Sequence, residues 1–318
     1  MDVDSTIPNL ALMHISAWRK SLGDEVGFNV ADPDRVYASC VFDWNRHKTD
    51  GLRTFYPRAE IDIGGSGISL GSSDRIPEEV WTMSPDYTLY PECDYDLGFT
   101  TRGCIRNCHF CVVPKKEGRL HRYQHPSEFH HPSHRKAVYL DNNILAAGDY
   151  AVEQMEKIIE RGYRVDFNQA LDARLVTDRF ARLLAKIRWI DRRIRFGCDT
   201  HGQIAECERA IDMINGYGYR GEYFLYTMIG GKSDFKESFE RVNYWWKRNH
   251  EQREKHLPNI YPYAQPYRNP DNPREPVPEW QKDIARWVNK HQCFQMTDFA
   301  NFEPRKGFKC ETYLKELL

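Results

Sequence analysis

The chain has 318 residues, 41% hydrophobic and 29% charged, enough apolar material to bury a sizeable core, which excludes a disordered chain and a disulfide-stapled miniprotein. Lys+Arg is 45 against Asp+Glu 46, a net charge of −1, which argues against a generic nucleic-acid coat but not against a local basic groove. At about 150 residues per domain the length predicts two domains, or one barrel with an appendage. No apolar run reaches the ~18 residues that span a bilayer. The opening MDVDSTIPNLALMHISAWRK is acidic and lacks a long apolar core, so it does not read as a signal peptide. The expected compartment is the cytoplasm, with no membrane partner. There the 9 cysteines are expected as thiols, metal ligands or catalytic groups.

In chain order, residues 1–65 read as a small Rossmann-like α/β domain. A short strand is expected at 10–13 and a helix at 15–22 with Gly23 as its stop. A buried strand follows at 35–42, and another at 59–63 runs into Gly64-Gly65-Ser66-Gly67. Residues 66–96 read as a proline-bearing linker. From about residue 97 to 265 strands and helices alternate. Strands are expected near 97–101, 137–140, 164–168, 194–198, 223–228 and 260–263. Helices are expected at 149–161, at a segment capped by Thr177, at 204–214 and at 234–247. Strand beginnings recur every ~28–37 residues, the length of one βα unit. Six such units predict a partial (β/α)6 TIM-type barrel. Residues 266–318 form a C-terminal extension. It opens on Pro266, Pro270, Pro273, Pro276 and Pro278 and carries a helix at 279–291.

The sharpest local feature is Gly103-Cys104-Ile105-Arg106-Asn107-Cys108-His109-Phe110-Cys111, spaced C-x3-C-x2-C. Three thiolates on one short loop suit three corners of an iron–sulfur cluster. Four cysteines are the usual set, so a missing local fourth leaves one iron open. The competing reading is a zinc site with His109 or His121 as fourth ligand. It would make the chain a non-catalytic, zinc-stabilised nucleic-acid-binding module.

C-x3-C with an aromatic before the last cysteine is the signature of the radical SAM family. The surrounding TTRGCIRNCHFCVVPKKEG resembles that family beyond the cysteines. The runs DFNQALDARLVTDRFARLLAKI, IRFGCDT, FLYTMIGG and ARWVNKHQCF resemble radical SAM proteins of bacteria and bacteriophages. In those proteins the N-terminal domain is related to cobalamin-binding domains. The resemblance implies a [4Fe–4S] cluster on Cys104, Cys108 and Cys111, S-adenosylmethionine (SAM) at the open iron, and a one-electron reductant such as flavodoxin or ferredoxin. Reductive cleavage of SAM would give a 5′-deoxyadenosyl radical that abstracts a substrate hydrogen. Phe110 is expected near the adenine. Asn142 stands where the family places a GGE-like loop, a motif this chain lacks. Gln169, Asp172 and Arg174 leave the third barrel strand and would reach SAM, with Arg174 either forked onto the SAM carboxylate or in a structural ion pair. Asp199 would reach a ribose hydroxyl or cap a helix, and the backbone at Gly230 would approach the adenine or simply turn. Cys198 is either a hydrogen-atom donor or a buried thiol. The D-x-H-x-x-G motif of cobalamin-binding domains is absent, so no cobalamin is expected.

Two basic stretches carry the substrate expectation. Lys115, Lys116, Arg119 and Arg122 follow the cysteines. Lys186, Arg188, Arg192, Arg193 and Arg195 surround Trp189. Cations interleaved with an aromatic can follow phosphates and stack a base, or they can be a solvated face. The expected substrate is a nucleobase, free or in nucleic acid, with phage DNA hypermodification as one setting. Five histidines between His121 and His134 read as an exposed loop or a second metal site.

Overall fold

The computed structural model describes residues 1–70, 76–269, 272 and 275–315. Pro270 and Pro273, and residues 71–75 of the expected linker, lie outside the described residues. The chain divides into two compact units. One is Met1–Gly103 with Val112–Asp141; the other is Cys104–Cys111 with Asn142–Leu318. Both are mixed α/β with parallel strand pairs.

The first unit opens on helix α1 (Leu10–Ser21), where a strand was expected at 10–13. The cap decides it: Asn9 is extended and its side-chain oxygen accepts Leu12 N–H at 3.2 Å, so LALM begins a helix despite its strand-like look. Strand β1 (Arg35–Ser39) pairs in parallel with β2 (Glu60–Gly64), joined through the short helix α2 (Leu52–Phe55). Strands β3 (Asp96–Gly98) and β6 (Lys136–Tyr139) form a second parallel pair. Between them β4 (Thr101–Arg102) and β5 (His121–Arg122) pair antiparallel, and α3 (Val113–Lys116) is a single turn. Buried Met13, Tyr87, Cys93 and Leu97 form the core here. Gly98 has no room for a side chain, since a Cβ would sit 2.6 Å from the Phe129 ring.

In the second unit β7 (Arg164–Phe167) pairs in parallel with β8 (Arg188–Trp189). Strand β10 (Glu222–Ile229) lies between β9 (Arg193–Gly197) and β11 (Ile260–Pro266), all parallel. Helices α4 (Asp149–Arg161), α5 (Asp178–Lys186) and α6 (Gln203–Gly216) fall where the apolar periodicity puts them. Gly162, left-handed at φ 66°, ends α4, and Thr177 accepts Phe180 N–H to start α5. Helix α7 (Phe235–Glu254) outruns its expected end at 247, because Asn249 and Gln252 continue its buried face. The helix expected at 279–291 is two, α8 (Glu279–Val288) and α9 (His291–Met296). The break is at Asn289, whose side chain bonds the N–H and C=O of Ala264 on β11. A last turn, α10 (Glu311–Lys315), follows. Trp287, Phe294, Phe299 and Ile284 lie in a buried core cluster of this unit. Among the described residues no helix is long and apolar enough to cross a membrane.

Candidate metal and cofactor centre

The three cysteines share one short segment of the second unit and are all partly buried. A turn from Cys108 C=O to Cys111 N–H, 3.0 Å, closes its end. The Cys104 sulfur accepts the Arg106 N–H at 3.3 Å and faces the Asn143 side-chain amide at 3.6 Å. Burial and the neighbouring Cys111 push the Cys108 thiol up, with Asp199 adding to the rise and Arg174 opposing it. A thiol binds a metal as thiolate, so a cationic centre on this loop would have to displace the Cys108 proton against that rise.

Around the loop stand polar side chains that hold one another. Asp172 accepts Arg174 Nε at 2.6 Å and Nη2 at 3.1 Å, and Arg106 Nε at 3.0 Å. Burial alone would raise the Asp172 carboxyl; the two guanidinium groups outweigh it and hold it below the usual range. Arg174 therefore has its ion pair, and its outer edge is what a second carboxylate would meet. Asp199, at the end of β9, accepts the Met228 N–H at 3.0 Å; burial raises its carboxyl against that bond and the fields of Arg241 and Arg174.

Asn143 is the residue that sequence reasoning missed. It is buried, its amide reaches Cys104 Sγ and Asp172 Oδ2 (3.5 Å), and its buried Oδ1 has no hydrogen-bond partner among the described residues. An acceptor left bare beside a thiol loop calls for a donor such as an ammonium group. Its neighbour Asn142, the residue expected from sequence, is only partly buried. The sole signal in the sequence was the Asn-Asn pair itself.

The glycine pair after β10 also divides. At Gly230 a Cβ would meet the Gln281 side chain at 2.1 Å, and φ is +86°, so Gly230 is packed against α8. Gly231 is exposed, and a Cβ there would lie 3.3 Å from His109 Nε2 and 3.2 Å from the Tyr267 ring. The cysteine loop thus comes to the end of β10 through His109, whose ring also stands edge-on to Phe110 at 5.1 Å. Gln169 is exposed and bonds its neighbour Asn168. Cys198 is wholly buried, with Trp245 Nε1 at 3.4 Å from its sulfur.

The donor set fits a cluster: three thiols on one loop, hydrogen bonds to sulfur, and a bare acceptor alongside. Among the described residues no three His, Cys, Asp or Glu side chains converge on one ion-sized point. The histidine-rich loop of the first unit is held structurally: Asp96 accepts His130 Nδ1 at 2.8 Å and His134 Nδ1 at 2.9 Å, and His125 caps the turn Pro126–Glu128. Of the second basic stretch, Trp189 is 4% exposed and bonds Leu184 C=O, Arg195 grips Asp166 with two nitrogens, and Arg193 pairs with Glu222. That stretch cannot offer Trp189 to a base.

No family model matches the sequence, and no match is found among curated proteins. By structure the chain is similar to the radical S-adenosylmethionine methyltransferase TsrM from Kitasatospora setae, solved with cobalamin and a [4Fe–4S] cluster bound. The TM-score is 0.56 at 12% identity, over 83% of this chain and 74% of that one. At that identity the likeness is one of fold: this chain has a radical SAM-like α/β fold.

Proposed function

We propose that the chain is a radical SAM enzyme, with a [4Fe–4S] cluster on Cys104, Cys108 and Cys111 and SAM beside it. The observation that carries this is the partly buried three-thiol loop next to the bare, buried acceptor of Asn143. A [4Fe–4S] cluster held by Cys104, Cys108 and Cys111 would supply the single electron, drawn from the reductant, for cleavage of SAM into methionine and a 5′-deoxyadenosyl radical. The protein's own part is placement and exclusion of water. Asn143 Oδ1 accepts from the SAM ammonium. Asp172 fixes Arg174 so that its outer edge meets the SAM carboxylate. Phe110, His109, Gly231 and Tyr267 offer flat surface and open backbone to the adenine, and Asp199 accepts from the ribose. Asn142 and Gln169 border this group, and Gly230 sets the turn.

Residues 97–265 are read as a partial (β/α)6 barrel. Residues 1–65 form a cobalamin-domain relative, 66–96 the linker and 266–318 the extension. The reductant is of the flavodoxin or ferredoxin kind, and the substrate a nucleobase. TsrM holds cobalamin; for this chain we retain the expectation of none, since the D-x-H-x-x-G motif is missing. Retention of hydroxocobalamin through gel filtration would overturn it.

The test is metal and sulfide analysis of anaerobically purified protein, then SAM with a reductant. About four iron and four sulfide per chain, with 5′-deoxyadenosine released, is the expected result. Zinc without iron and no cleavage would overturn it and leave a zinc-stabilised nucleic-acid-binding module.

A further inference from the structure

Residues 41–58 of the first unit, VFDWNRHKTDGLRTFYPR, contain four Lys and Arg against two Asp, and four aromatic rings. Unlike Trp189, these rings are outside. Trp44 is 55% exposed and Phe55 80%, with Phe42 and Tyr56 also exposed. Phe42 and Trp44 stack face to face, centroids 4.7 Å apart and planes 18° from parallel. Phe42 and Trp44 thus form an exposed apolar pair, and Phe55 on α2 is the most exposed ring of the segment.

The platform is built, not loose. The Asp4 carboxylate accepts the backbone N–H of Val41 (2.8 Å) and Phe42 (3.0 Å) and the Asn45 amide (3.1 Å). Gly67 backs it so closely that a Cβ would lie 2.5 Å from the Phe42 carbonyl carbon. Leu52, buried, pins α2 beneath. The cations are uncommitted: among the described residues no carboxylate lies within ion-pair distance of Arg46, Lys48 or Arg53. Arg58 is 3.7 Å from Asp32, with both side chains more than 80% exposed.

Rigid stacked rings set among unpaired cations complement a polyanion that carries flat, unstacked rings. We propose that residues 41–58 bind single-stranded nucleic acid, bases stacking on Trp44 and Phe55 and phosphates meeting Arg46, Lys48 and Arg53. A duplex has its bases already stacked and offers only the phosphate part. The inference stands apart from the assignment of the cysteine loop, since the surface needs neither cluster nor SAM.

The experiment uses the full chain and a fluorescein-labelled oligothymidylate of about twenty nucleotides, with an oligouridylate and a duplex as comparisons. Anisotropy is read at about 50 mM salt and upward. Both single strands should bind more tightly than the duplex. Trp44→Ala and Phe55→Ala should each weaken binding about tenfold. Arg46→Glu with Lys48→Glu should weaken it further and flatten the salt dependence. All four positions are exposed, so thermal unfolding should be unchanged, and SAM cleavage without oligonucleotide should be unchanged too. No binding by the wild-type chain, or equal binding by Trp44→Ala, would overturn the proposal. So would concentration-dependent self-association that Trp44→Ala abolishes while oligonucleotide binding is absent, since the rings would then face a second copy.

Discussion

Two stretches of this chain look alike as strings and differ in space. Residues 186–195 and 41–58 both mix arginine and lysine with aromatics. In the first, Trp189 sits on β8 in the core and two of the arginines are taken by Glu222 and Asp166. In the second, the rings face water and three cations lack a carboxylate among the described residues. A strand whose side chains alternate between core and rim puts its aromatic inside and pairs its cations at the rim. A pair of short turns capped by Asp4 has no inside to offer. Composition names the groups available, and only burial and pairing say which are left for a partner.

The cysteine loop extends the same contrast, since its polar neighbours are committed to one another. Cys104→Ala should bring SAM cleavage below detection and lower iron content, while oligothymidylate binding holds; joint loss of both would dissolve the separation. Asp172→Ala comes next. It strips Arg106 and Arg174 of their shared carboxylate and should weaken SAM binding about tenfold to a hundredfold, with Asp172→Asn milder. Equilibrium dialysis with labelled SAM reads this directly.

Trp189→Ala set against Trp44→Ala sharpens the comparison of the two stretches. The first should lose about 3–5 kcal/mol in urea unfolding and leave oligonucleotide affinity alone; the second should do the reverse. Equal stability losses would mean that Trp44 is packed after all.

The last is a pH effect in the first unit. His14 is 3% exposed, and burial, helped by Arg102 against a bond to Met83, lowers its imidazole to about 4. The unfolded chain takes up this proton below about 6.5 and the folded chain does not. Stability should therefore be complete above about pH 6.5 and fall toward pH 4, by about 3 kcal/mol from this group. His14→Phe should flatten that part of the profile in urea titrations, and an unchanged profile would refute the assignment.

Local signals were read well wherever one residue type settles the backbone. Thr177 and Gly162 bound their helices as their chemistry requires, and α4 carries its apolar face where the spacing puts it. Four parallel strands of the second unit, β7, β9, β10 and β11, fall where strands were expected, while β8 (Arg188–Trp189) was not foreseen. The C-x3-C-x2-C loop was legible too, because three cysteines in eight residues have few uses. Where distant residues compete, the sequence was silent or misleading. LALM reads as a strand until Asn9 is seen capping it, and one C-terminal helix becomes two because Asn289 bonds to β11. Nothing in the string tells which of the adjacent Asn142 and Asn143 is buried, and the structure buries Asn143, with its amide toward Cys104 Sγ.

The amino-acid sequence by itself determined the thiol loop, the helix ends and the alternation of strand and helix, because each depends on spacing and on caps within a turn or two. Only the tertiary structure decided which polar groups are spent on one another and which remain. That depends on partners tens of residues away: Asp172 on Arg106, Arg195 on Asp166, Asp4 beneath the exposed rings of Phe42 and Trp44.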